Sequence, residues 1–149
     1  MSFTRLSLKK NFLIFCLILT ASFLVYANTL HNPFLWDDDA LVVKNTLIRG
    51  EAPLARIFTS DLFTGSSTGS NFYRPLQTLS YLWDYHFWQL DPLGYHLTNI
   101  LLHSLVSFLV FLFVFSVCGN WTISLCAGLG FAVFPLHTEA VSYVSGRAD

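Results

Sequence analysis

Apolar positions in this chain fall in unbroken blocks, not in the alternating pattern of a half-buried strand or the single stripe of a surface helix. Residues 11–27, "NFLIFCLILTASFLVYA", carry no charge and make a helix of about 26 Å, near the lower limit for crossing a bilayer. Residues 95–117 form a second uncharged block of comfortable spanning length. Residues 121–134 form a third, shorter block that meets Pro135. Either this helix continues, kinked, through "LHTEAVSYV", or it ends at Pro135 and leaves His137 and Glu139 at the interface. The pattern predicts an all-α membrane protein with three transmembrane helices.

Arg5, Lys9 and Lys10 precede the first block. A membrane anchor and a secretory signal peptide share that arrangement, and Val25-Tyr26-Ala27 would serve the latter as a cleavage site. The length of the apolar run and the two blocks after it favour an uncleaved anchor. By the positive-inside rule the amino-terminal end is cytoplasmic. The expected layout is a cytoplasmic terminus at 1–10, a first span at 11–27, an exported loop at 28–94 and a second span at 95–117. A cytoplasmic turn at 118–120, a third span at 121–134 and the start of a second exported loop at 135–149 complete it. The sequon Asn120-Trp121-Thr122 then faces the cytoplasm and stays unmodified.

In the long exported loop, "TGSSTGSN" (64–71) reads as a mobile surface turn. "DALVVKNTLIRG" suggests a short element closed by Gly50, and "APLARIFTSDLF" a short helix. In "YRPLQTLSYLWDYHFW", Leu76, Leu79, Tyr81, Leu82 and Tyr85 recur near helical spacing, and Pro75 suits a first turn. Trp83 and Trp88 suit an interfacial helix lying along the membrane surface. On the second span His96, Asn99, His103 and Ser107 share one face, which a bundle interior or a wet cavity explains and lipid does not. Interhelical hydrogen bonding accounts for His103 and Ser107. His96, level with the loop, suits a structural or a functional role. On the third span Ser124, Gly128 and Ala132 make a small-residue face for close packing.

Composition sharpens this picture. Only 11% of the 149 residues are charged, against about 25% in a soluble domain, and 17% are aromatic. A net charge of −1 with no basic stripe excludes a nucleic-acid partner. Cys16, Cys118 and Cys126 lie in or beside apolar blocks without CxxC spacing and read as small buried hydrophobes.

Against this apolar background stands "FLWDDDALV", with Asp37, Asp38 and Asp39 in succession. Adjacent carboxylates repel one another, so the cluster needs solvent, a cation or a chemical use. Near the other end, "FPLHTEAVSYVSGRAD" sets His137 two residues from Glu139 and Arg147 a short helix further on. Such a set can cradle an anionic head group, the arginine forking onto phosphate oxygens. The plainer reading is interface snorkelling with a surface ion pair.

Four stretches, "WDDDALVVKN", "FYRPLQTLSYLWDY", "DPLGYHLTNILLH" and "FAVFPLHTEAVSYVSGRAD", occur in an order and at spacings that carry a resemblance. The chain from about Tyr26 to Asp149 resembles the amino-terminal part of the transmembrane, tetratricopeptide-repeat O-mannosyltransferases and their bacterial relatives. One departure is Phe134, where that family more often has a His before the Pro. The resemblance implies a polytopic glycosyltransferase of the GT-C type with a lipid-phosphate sugar donor. The chain would be an amino-terminal fragment of a larger bundle, inactive by itself. The family's 34-residue repeats would follow further along and are absent from this sequence.

In that class an acidic pair in the first exported loop lies beside the catalytic centre, and the matching residues are Asp37 and Asp38, with Asp39 as an extra neighbour. Transfer of a sugar, mannose by the resemblance, from a polyprenyl-phosphate to a protein hydroxyl needs a base, a stabilised oxocarbenium-like centre and a neutralised phosphate. Asp37 or Asp38 would be the base, the other orienting the acceptor or a cation. Arg74, His137 and Arg147 would meet the leaving phosphate, Arg74 with the backbone donors at the start of its helix. Asp39, His96 and Glu139 would support them, Glu139 by positioning His137 or the acceptor. A divalent cation among the carboxylates fits this chemistry, although no spacing identifies a metal. The expected partners are the bilayer, the polyprenyl-phosphate sugar donor and a protein acceptor. The expected location is the endoplasmic-reticulum membrane of a eukaryote or the inner membrane of a bacterium. Two other classes stay open. A non-enzymatic membrane-anchored adaptor of a repeat protein would tolerate Asn at the aspartates, and a transporter fragment would depend on His103 more than on the loop.

Overall fold

The computed structural model describes residues 7–50, 53–66 and 71–148. Arg5 of the basic terminus, positions 67–70 of the Gly/Ser-rich turn and Asp149 lie outside the described residues. Among the described residues all regular structure is helical. Helix α1 (Leu8–Tyr26) runs into a 3-10 turn (Ala27–His31), followed by a π-helical turn (Asp39–Val43) and a 3-10 turn (Leu47–Arg49). Then come α2 (Leu54–Ile57), α3 (Pro75–Trp88), α4 (Pro92–Cys118) and α5 (Trp121–Val133). A 3-10 turn (Pro135–His137), α6 (Thr138–Ser142) and a last 3-10 turn (Val144–Ala148) end the chain. Local chemistry sets several of these ends. The Ser7 hydroxyl accepts the Lys10 N–H before α1, Asn120 Oδ1 accepts the Ile123 N–H before α5, and Pro75 opens α3.

Two helical segments are long and apolar enough to cross a bilayer, Leu8–His31 with mean hydropathy 2.0 and Pro92–Cys118 with 2.5. They extend about 36 and 40 Å, against a hydrocarbon core of roughly 30 Å. The third block is bent: Trp121–Val133 and Pro135–Ser142 are two pieces set at 43°, a third span only if the pair counts as one. Pro135 has no N–H to continue the ladder of α5, which ends two residues before it.

The chain divides into two compact units, the first made of Met1–Asn28 and Ile100–Thr138. Its core joins Ile14 and Ile18 of α1, Phe111 of α4 and Ala132 of α5. The small face of α5, Ser124, Gly128 and Ala132, is buried. A Cβ on Gly128 would lie 2.9 Å from Phe111 Cβ and 3.1 Å from the Ser107 carbonyl, so glycine allows this approach. Polarity is inverted relative to a soluble helix. His103, Ser104 and Ser107 face inward, while Leu101, Leu102, Leu105, Val106 and Leu109 face outward. Lipid selects that arrangement and water opposes it. The inward hydroxyls of Ser104 and Ser107 donate to carbonyls one turn back. His103 Nε2 donates to the Ala132 carbonyl at 3.1 Å, one of the acceptors that α5 leaves unpaired where it ends.

The second unit is Thr29–Asn99 with Glu139–Asp149. Its core gathers Leu41, Val42, Ile48, Leu62, Tyr81, Tyr95 and Val144. The carboxy-terminal turn is stitched into this core. Asn99 Nδ2 donates to the carbonyls of Val141 and Tyr143 at 3.2 and 3.0 Å, and the Tyr81 hydroxyl donates to that of Val144. A Cβ on Gly146 would come within 2.6 Å of the Glu139 carbonyl oxygen, which fixes glycine at that position. On α3, Leu76, Trp83 and Phe87 stay exposed.

Candidate functional site

A cavity of about 280 Å³ opens within the second unit. Asp37, Arg74, Gln77, Glu139, Tyr143 and Ser145 form its polar lining, and Leu41, Leu62, Phe63 and Phe72 its apolar lining. Residues nominated from three separate stretches, Asp37, Arg74 and Glu139, therefore meet on one concave surface.

The three aspartates have three different surroundings. Asp38 is 1% exposed. Its Oδ1 accepts the N–H and the hydroxyl of Ser145, and its Oδ2 accepts the Leu35 N–H at 3.0 Å. A carboxylate held by that many donors clamps the loop onto the carboxy-terminal turn. Asp37 is exposed and lines the cavity, its own N–H donating to the Tyr143 hydroxyl at 2.9 Å. Asp39 is exposed and pairs with Lys44. The neighbours thus turn to different partners. Among the described residues no three His, Cys, Asp or Glu side chains gather as a metal site.

Of the three residues expected to meet phosphate, Arg74 lines the cavity, half-buried, with its guanidinium 5.8 Å from the Phe72 ring centre. Arg147 is elsewhere. Its side chain is 3% exposed and Nη1 lies 2.7 Å from Asp84 Oδ2. Nε donates to Asn99 Oδ1, Nη1 also to the Ser80 hydroxyl and Nη2 to the Tyr95 carbonyl, while the guanidinium lies over the Tyr81 ring at 4.6 Å. Burial pushes the Asp84 carboxyl up from its ordinary value, against the opposing pull of the Arg147 guanidinium and the Thr98 hydroxyl. Burial likewise raises the Tyr81 phenol. His137 sits in the first unit, its ring 4.2 Å from that of Phe131 and 5.4 Å from that of His103. His96 is buried and its Nε2 donates to the Asn32 carbonyl at 3.1 Å, holding the chain just before Pro33. Glu139 is exposed at the cavity wall.

Three lining residues, Gln77, Tyr143 and Ser145, escape the reading of the sequence. All lie inside the quoted stretches, but nothing local marks them, because their roles depend on contacts to residues far along the chain. Gln77 is buried, at 6% exposure. Its Nε2 donates to the Ser145 carbonyl at 2.9 Å, which fixes which end is the amide nitrogen, and to the Tyr81 hydroxyl. Its Oε1 has no hydrogen-bond partner among the described residues.

The chain is 44% identical over 130 residues to "Protein O-mannosyl-transferase tmtc2" of Xenopus laevis, covering 85% of this chain and 15% of that relative. It is 40% identical over 133 residues to "Protein O-mannosyl-transferase Tmtc1" of Drosophila melanogaster, covering 86% and 15%. To "Protein O-mannosyl-transferase TMTC2" of Homo sapiens it is 40% identical over 129 residues, covering 84% and 15%. The chain thus spans about 15% of the length of these curated relatives. No family model matches the chain, and no solved structure matches it. Along most of its residues, the chain is thus similar to the proteins named TMTC protein O-mannosyl-transferases.

Proposed function

We propose that the cavity of the second unit is the transfer site of an integral-membrane O-mannosyltransferase, which moves mannose from a polyprenyl-phosphate donor to a protein hydroxyl on the exported face. The observation that carries this reading is the convergence of Asp37, Arg74 and Glu139 on one cavity. Asp37, solvent-reachable and beside that cavity, takes the acceptor's proton as the hydroxyl oxygen attacks the anomeric carbon. The bond from that carbon to the phosphate oxygen breaks, and Arg74 neutralises the phosphate that leaves. Glu139 orients the acceptor. Asp38 and Arg147 act one step removed, as the clamp and the buried ion pair that hold Asp37 and the carboxy-terminal turn in place. The packing of His137 against Phe131 and His103 supports a structural role for it, as the Asn32 bond does for His96.

The donor's lipid tail requires a site near the bilayer. The exposed Leu76, Trp83 and Phe87 of α3 support a helix lying on the membrane surface, with the amino terminus cytoplasmic and the cavity exported. The test is transfer of labelled mannose from a polyprenyl-phosphate donor in membranes carrying a full-length relative with this stretch in place. Arg74→Met is expected to lower donor kcat/KM by about 10²–10³, as loss of a charge-stabilising group does. Glu139→Gln is expected to raise the acceptor KM. No transfer by the wild type, or wild-type rates in both variants, would overturn the reading.

A further inference from the structure

Trp36 is the most unusual residue of the second unit. Its φ is +46°, the left-handed region that a bulky side chain rarely adopts, and it is 83% exposed. The strain is held from several sides. Asp38 Oδ2 accepts the Leu35 N–H at 3.0 Å, the Asp38 N–H returns to the Leu35 carbonyl at 2.9 Å, and the Asp39 N–H reaches the Trp36 carbonyl at 3.2 Å. The Asp37 N–H is tied to the Tyr143 hydroxyl. A strained residue kept in place by this many bonds, with its large apolar ring left in the open, is a pattern of functional sites. The indole meets the Tyr143 ring edge-on, with centroids 5.8 Å apart at 72°, and Tyr143 and the adjacent Asp37 both line the cavity.

We infer that Trp36 is the stacking platform for a hexopyranose at this cavity. A pyranose presents an apolar C–H face and a rim of hydroxyls. The indole offers the apolar face. Asp37 and Glu139 offer acceptors for the rim and Arg74 offers donors, while Gln77 of the lining keeps a buried Oε1 without a hydrogen-bond partner among the described residues. The cavity's 280 Å³ lies just under the roughly 300–1,000 Å³ usual for drug-sized ligands, which suits one sugar ring. The inference rests on the sugar-transfer reading only for the identity of the sugar as mannose.

The experiment titrates methyl α-mannoside and methyl α-glucoside into the protein in lipid nanodiscs, with Trp36→Phe, Trp36→Ala and Trp36→Gly beside the wild type. Thermal unfolding is measured on the same samples, and mannose transfer in a full-length relative carrying the same substitutions. Trp36→Phe is expected to bind within about threefold of wild type, and Trp36→Ala and Trp36→Gly about tenfold more weakly, a loss on the scale of one aromatic contact. Trp36→Gly should unfold no earlier than wild type because the left-handed turn suits glycine. That separates loss of the ring from loss of the fold. Wild-type binding in Trp36→Ala and Trp36→Gly overturns the inference and leaves mannose transfer standing. Binding of the glucoside alone, weakened by Trp36→Ala, keeps the platform and removes mannose. Binding of neither hexoside overturns the inference whatever the transfer assay gives. So does a component of brominated-lipid quenching that the wild type shows beyond its other three tryptophans and that Trp36→Phe loses, since that places the ring in the bilayer.

Discussion

At the scale of single residues, side chains of one type divide by partner and not by position in the motif. Asp38 and Arg147 carry the strongest chemistry of their stretches, yet both are spent inside the protein. Asp38 accepts from Leu35 and Ser145, and Arg147 is buried against Asp84. The sequence could not reveal this. Asp84 sits in the middle of an aromatic helix, where a lone carboxylate reads as part of the interfacial surface, and its partner lies 63 positions away on the chain. Arg147→Met should therefore cost about 3–5 kcal/mol of stability, because it strands the buried Asp84 carboxyl. Arg147→Lys should also destabilise, since an ammonium cannot reach Asn99, Ser80 and Asp84 with one planar fork. Thermal unfolding in nanodiscs checks both, and unchanged unfolding in Arg147→Met would show that the pair contributes nothing.

At the scale of elements, the legible parts are those whose cause is local. The uncharged blocks at 11–27 and 95–117 fall within the two long apolar segments, Leu8–His31 and Pro92–Cys118. Pro75 opens α3 and Pro135 breaks the third block, as a ring without an N–H must. The polar stripe of α4 turns inward and the leucines outward, which the spacing of His96, Asn99, His103 and Ser107 already implied. The bond from His103 to the Ala132 carbonyl was not legible, because it depends on where α5 ends in space. The short turn at Val144–Ala148 was not legible either, since hydrogen bonds from the distant Asp38, Gln77 and Tyr81 hold it. The small face of α5 makes a sharp prediction. Gly128→Val should lose about 1–3 kcal/mol by overpacking against Phe111 and the Ser107 carbonyl. Gly130→Val, with open space at its Cβ, should cost much less, apart from strain of a β-branched residue in a helix. Equal losses at both positions would contradict close packing of α5.

At the scale of the whole molecule, the chain combines an inside-out helical unit with a unit that carries the cavity. The proposed orientation puts the turn at Cys118 on the cytoplasmic side. With Cys16 and Cys126 replaced by Ala, the exposed Cys118 should react with an impermeant maleimide in sealed vesicles whose cytoplasmic face is outward, and Asn120 should carry no glycan. Labelling only after permeabilisation would reverse the topology and move the cavity off the exported face. The central claim is that Asp37 performs chemistry while Asp38 holds the loop. One measurement separates the two: mannose transfer and thermal unfolding, side by side, for Asp37→Asn and Asp38→Asn in membranes carrying a full-length relative with this stretch in place. The account predicts that Asp37→Asn unfolds like wild type and loses about 10²–10⁴ in transfer rate, while Asp38→Asn loses about 1–3 kcal/mol of stability. Transfer at the wild-type rate in Asp37→Asn would contradict it.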